Sequence, residues 1–183
     1  MDGLDNTRER YGSIAVAFHW LVAVLVVGLL ALGLYMVELP DVGYDKKKIT
    51  LVLYHKEYGV LVLLLVAARM AWRLRGPMPH LEPGPDWQKI TARFVHLWLY
   101  ALLIALPVTG WLMSSAAAIP VSFFGLGNLP DLLPRDDLLF RAFIAMHKWL
   151  AYALLALLAA HVGAALWHHF VTRDATLKKM LPD

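Results

Sequence analysis

Five of the chain's eight histidines, His19, His55, His96, His147 and His161, stand inside strongly apolar stretches. An imidazole can ligate a metal, relay a proton or make a hydrogen bond, and ionisable groups at membrane depth are rare and usually functional. His147 and His161 are fourteen residues apart in one run. That is close to four turns of α-helix, so both fall on one face, about 21 Å apart along the axis. No cysteine is present, which excludes disulfides, iron–sulfur ligation, thiolate metal sites and covalent C-x-x-C-H haem attachment.

The elements that must position these rings are membrane spans. Of 183 residues 60% are hydrophobic and 17% charged, with mean hydropathy +0.57. The apolar residues form runs long enough for spans of about 20 residues: Val16 to Val37, Ile49 to Trp72, Ala92 to Met113 (containing Pro107), and Phe143 to Phe170. The first is too long for a signal peptide and lacks a small-residue cleavage site. The sequence predicts an all-α, integral membrane four-helix bundle, one domain over residues 1–183. The Pro- and Gly-rich connection Arg69 to Arg93 reads as a loop, and Ser114 to Arg141 as an apolar loop lying at the interface. Of the 17 Lys and Arg, ten lie on the side of both termini and the second loop, and seven on the other. The positive-inside rule then puts both termini in the cytoplasm of a multi-pass inner-membrane protein. Net charge +3 with no aromatic-interleaved basic patch fits anionic lipid rather than nucleic acid.

With that orientation the histidines sort into two layers, an outer one of His55 and His147 and an inner one of His19, His96 and His161. Zinc prefers three or four ligands, and Glu57 is the only carboxylate near the outer pair, so a zinc site is poorly supplied. A proton relay would also want more carboxylates within the spans. Two axial imidazoles suit haem iron, because the porphyrin supplies the other four nitrogens. Four of the five histidines have a small residue one turn on: Ala23, Gly59, Ala151 and Ala165. The reading is a bundle enclosing two non-covalent b haems. The outer pair has one assignment, His55 with His147. The inner layer has three candidates for two places, and periodicity does not choose among them.

Several motifs recur in a fixed order: "AFHW" opening helix 1, "YHKEYG" in helix 2, Arg69 to Arg73 closing it, "ALPVTGWLM" in helix 3, "MHKWLAY" and "AAHVGAALWHHF" in helix 4, and the tail "RDATLKKMLP". From about Tyr11 to Pro182 the chain resembles the bacterial di-haem cytochrome b561 family, relatives of the cytochrome b subunits of hydrogenases and formate dehydrogenases. The loop Ser114 to Arg141 matches only loosely. The resemblance implies axial ligation of an inner haem by His19 and His161 and of an outer haem by His55 and His147. His96 is then a neighbour of the inner haem or a quinone contact, and Arg69 and Arg73 are candidates to pair with haem propionates. It further implies an oxidoreductase that takes electrons from superoxide at the periplasmic face and reduces ubiquinone. Lys46, Lys47, Lys48, Lys56, Lys148 and Arg141 on the outer side are candidates to steer a small anion, set against Asp41, Asp45, Asp136 and Asp137. The alternatives are a cytochrome b anchor taking electrons from a hydrogenase or dehydrogenase partner protein, and a haem-free transporter or structural membrane protein.

Overall fold

The computed structural model describes residues 3–39, 46–80 and 82–181. Four helices dominate: α1 (Ser13–Glu38), α2 (Lys46–Arg73), α3 (Asp86–Ala116) and α4 (Asp137–Trp167). All four are long and apolar enough to cross a membrane. Each extends past its apolar run, most clearly α3 and α4. The extra turns mix polar and apolar residues and begin with an acidic residue at α3 and α4. At α4, Asp136 is the N-cap, its Oδ1 accepting from the amides of Leu138 (2.8 Å) and Leu139 (2.9 Å). At α3, Asp86 occupies the first turn and pairs with Lys89 at 3.4 Å. Pro107 lies within α3.

Consecutive helices pack side by side, and most large apolar residues on the outside stay exposed, as a lipid-facing surface requires. The buried core is a compact layer of Val22, Val26, Val62, Val66, Leu102, Leu106 and Leu154. Leu154 stands seven residues from both His147 and His161, so the layer lies between the two histidine levels.

The two ends of the bundle are built differently. At the loop end, the α3–α4 connection folds into a two-residue antiparallel ladder, β1 (Val121–Ser122) with β2 (Asn128–Leu129). The short α1–α2 connection, with Asp41 and Asp45, falls outside the described residues. At the termini end, three separate segments are tied together. His80 N–H donates to Arg8 O (3.0 Å), and Lys179 Nζ donates to His80 O (2.9 Å) and pairs with Glu82 (2.6 Å). Trp20 Nε1 donates to Met180 O (2.6 Å). Here α4 passes into a π turn (His168–Thr172) that ends at Arg173, in left-handed backbone with φ 59°.

Candidate functional site

The helices bring four of the five intramembrane histidines together in pairs of steeply inclined rings, one pair near each end. At the loop end the His55 and His147 ring centroids are 6.3 Å apart, with an interplanar angle of 71°. At the termini end His19 and His161 are also 6.3 Å apart, at 61°. His96 stands closer to His161, at 5.4 Å. Among the described residues, no group of three or more His, Asp or Glu is placed to hold a bare metal ion.

The loop-end pair is backed by groups from α1 and α3. Thr109 is buried, and its hydroxyl donates to Leu106 O (2.9 Å). With its proton so used, Thr109 Oγ1 accepts from His147 Nδ1–H, at 3.1 Å. That tautomer leaves the His147 Nε2 lone pair as a ligand, the usual arrangement of a metal-binding imidazole. Two glycines let the backbone approach the rings: a Cβ on Gly110 would sit 3.4 Å from His147 Cε1, and one on Gly33 3.4 Å from His55 Cε1. One turn beyond His55, a Cβ on Gly59 would meet nothing within 4 Å. His55 Nδ1 is buried without a hydrogen-bond partner.

These observations can be tested against haem. Two metal–imidazole bonds of about 2.0 Å, with about 1.1–1.2 Å from each nitrogen to its ring centre, would separate two ring centroids by about 6.3 Å. Both facing pairs have that separation, and the 5.4 Å between His96 and His161 is shorter. The glycine-lined ring edges and the open space at Gly59 fit a flat macrocycle beside the ligands.

The termini-end pair is backed by cations. Arg69 Nη2 lies 3.0 Å from His19 Nδ1, which is therefore the acceptor. The guanidiniums of Arg69 and Arg73 both lie over the Tyr100 ring, at 5.6 and 5.5 Å. Tyr11, just outside α1, sits beside them. Burial raises its phenol pKa, and the nearby Arg73 and Arg69 oppose the rise. Further along, His168 Nδ1 meets Asp174 Oδ2 at 2.5 Å. Burial alone would raise Asp174, but hydrogen bonds from His168 and Thr176 outweigh it and hold its carboxyl below the ordinary range. His169 Nδ1 is buried with no partner.

The loop-end cations are less uniform than their charges suggest. Lys46, Arg141 and Lys148 are exposed. Lys47 Nζ donates to Tyr35 Oη (2.7 Å), Lys48 Nζ to Leu39 O (2.9 Å) and Lys56 Nζ to Pro120 O (2.8 Å). Asp136 is committed to its cap, and Asp137 lies 3.6 Å from Arg135. Thr109, Gly110, Gly33 and Tyr100 were not singled out by sequence, although Thr109 and Gly110 belong to the quoted "ALPVTGWLM".

The profile of the family described as Prokaryotic cytochrome b561 matches residues 10–183. Cytochrome b561 homolog 2 of Escherichia coli (strain K12) is 41% identical over 181 residues, covering 96% of this chain and 93% of that protein. Cytochrome b561 homolog 1 of the same organism is 30% identical, covering 95% and 98%. The Yersinia pestis protein named Probable superoxide oxidase CybB is 29% identical, covering 96% and 97%. Four membrane-length helices, paired histidines and a match along nearly the whole chain identify it as a member of the prokaryotic cytochrome b561 family, multi-pass electron-transfer proteins of bacterial membranes that bind b-type haem.

Proposed function

We propose that this chain is a di-haem cytochrome that oxidises superoxide at the loop end and reduces ubiquinone, with the loop end periplasmic and both termini cytoplasmic. The observation that carries the reading is the pair of imidazoles with centroids 6.3 Å apart near each end of one bundle. His55 and His147 would hold one haem, and His19 and His161 the other. The separation supports His19 rather than His96 as the partner of His161. Held by these histidine pairs, the haems would supply one-electron exchange, and substrates would meet the protein surface.

The remaining chemistry belongs to the chain. Thr109 holds the His147 proton on Nδ1, which would leave the Nε2 lone pair for a haem. Ligation by His19 through Nε2 would put its proton on Nδ1, against Arg69, so the guanidinium would turn to another acceptor. A haem propionate is a carboxylate within that chemistry, and Arg73, which lies over the same Tyr100 ring, is a second cation for it. Lys46, Arg141 and Lys148 can draw an anion toward the loop end through their field, and Lys47, Lys48 and Lys56 add charge while bonding a tyrosine hydroxyl and two backbone carbonyls. The balance is two superoxide anions oxidised to two molecules of dioxygen, with ubiquinone taking the two electrons and two protons to become ubiquinol. The name borne by the Yersinia pestis relative supports this donor.

The test is the haem content and reduced-minus-oxidised spectrum of the purified protein, before and after adding superoxide with a quinone present. Two b haems per chain, reduced by superoxide and reoxidised by quinone, are expected. Two haems inert to superoxide would instead point to an anchor for a redox subunit, and no haem would remove the reading altogether.

A further inference from the structure

The α3–α4 connection is fastened to the helices beside the loop-end histidines. On α2, Lys56 and Glu57 follow His55 directly. Lys56 Nζ donates to Pro120 O (2.8 Å), and Glu57 Oε1 accepts from Phe124 N–H (3.0 Å). On α3, Trp111 follows Gly110. Its Nε1 donates to Pro130 O (3.0 Å), and Ser115 Oγ accepts from Leu132 N–H (3.1 Å). Glu57 is 9% exposed, the only acidic side chain buried among the described residues.

What Glu57 holds is strained. Leu126 N–H donates to Phe123 O (2.9 Å), closing a tight turn with Phe124 at φ 47° and Gly125 at φ 72°. Two successive positive φ values make a type I′ turn, which favours Asn or Gly at its first central position and disfavours a bulky side chain. Phe124 is kept there by the buried carboxylate on its amide and by Tyr58, whose ring meets the Phe124 ring edge-on at 5.3 Å. An unfavourable backbone held by a buried charge on a neighbouring helix is a constraint that local sequence alone would not sustain.

We propose that the hairpin around Phe123–Asn128 is a strap for the loop-end site, and that Glu57 is its positioning residue. By fastening Phe124, Glu57 fixes the α2 segment that carries His55 relative to the α3 segment that carries Thr109 and Gly110. It thereby sets the angle between the two axial rings. This rests on His55 and His147 being haem ligands.

The experiment combines amide hydrogen exchange with the low-spin ferric EPR spectrum of the purified holoprotein. The spread of that signal depends on the angle between axial imidazole planes, and the loop-end component is assigned by its loss in His147→Ala. In the wild type, the hairpin amides are expected to be protected. In Glu57→Ala they exchange about tenfold faster or more, because a hydrogen bond to a charged acceptor is lost. The loop-end EPR component shifts and the other does not. Glu57→Gln keeps an acceptor oxygen but loses the charge, so its exchange accelerates by clearly less than in Glu57→Ala, with an unchanged spectrum. Lys56→Met releases the adjoining staple and moves exchange in the same direction by less, which serves if Glu57→Ala does not fold. Wild-type hairpin amides exchanging as fast as an open loop would overturn the strap. So would an unchanged EPR component in Glu57→Ala, or Glu57→Gln behaving like Glu57→Ala. A wild-type spectrum with no bis-histidine signal would sink the ligand assignment itself, whereas the exchange data report on the strap without any haem.

Discussion

The two ends of the bundle hold similar histidine pairs in opposite electrostatic settings. At the loop end a neutral hydroxyl accepts from the ring, glycines line it, and the surrounding loop is contiguous in sequence. At the termini end a guanidinium donates to the ring, a second cation shares the same tyrosine, and the closure joins residues as far apart as Trp20 and Met180. Ring separation alone makes the two sites look equivalent. The groups behind the rings decide where the proton sits, and so how readily each imidazole becomes a ligand.

The largest effects test whether the two sites are independent. His147→Ala should take the haem-to-protein ratio from two to one and leave the termini-end haem in place, read by pyridine haemochrome. Both haems retained at full stoichiometry would show the pairing to be wrong. Within the termini end, His19→Ala should lose a haem and His96→Ala should keep both. The opposite result would mean that His161 pairs with His96 despite the shorter separation. Next in size, Gly110→Val drives bulk into the His147 ring edge. Overpacking of this kind costs about 1–3 kcal/mol, so the loop-end haem should be depleted selectively in the same assay.

Smaller effects sharpen the contrast in second partners. Thr109→Val removes the acceptor behind His147, worth about 1 kcal/mol. The ring becomes a weaker donor to ferric iron, so the loop-end midpoint potential should rise by about 40 mV in a redox titration, with the other potential unmoved. The smallest effect concerns the tail. The folded-state pKa of Asp174 is depressed, so its clasp with His168 contributes stability at neutral pH. That contribution begins to fall away below the usual carboxylate pKa of about 4 and is lost as pH falls through the depressed value. Protease cleavage of the tail after Thr172 should accelerate in that acid range and at neutral pH in Asp174→Asn. No change in the variant would show that the clasp does not hold the tail.

Much of this was legible in the sequence because it is one-dimensional information. Span length and the fourteen-residue interval between His147 and His161 give depth and face directly. Periodicity left the choice between His19 and His96 open, because it gives depth but not the rotation of one helix against another; only the family resemblance favoured His19. Thr109, Gly110 and Gly33 were missed for the same reason: each matters through a contact across helices. The helices' charged first turns escaped a reading based on hydropathy, although Asp136 is a sound capping signal. The hairpin was invisible because its turn places Phe at a position that usually signals Asn or Gly. The loop-end lysines show the converse limit. Sequence counts their charge, yet the structure commits Lys47, Lys48 and Lys56 to nearby oxygens.

One helix, α4, contributes a ring to both pairs, which makes it a ruler with two marks. Its tolerance for changes in length follows from that. A single residue inserted between Leu150 and Ala160 would turn one mark about 100° from the other and displace it by about 1.5 Å, unmaking one pair while sparing its twin. Seven residues would restore the face but lengthen the interval by about 10.5 Å, more than the membrane-bounded partners on α1 and α2 could follow. The stretch from His147 to His161 is therefore open to substitution in composition but closed to insertion and deletion.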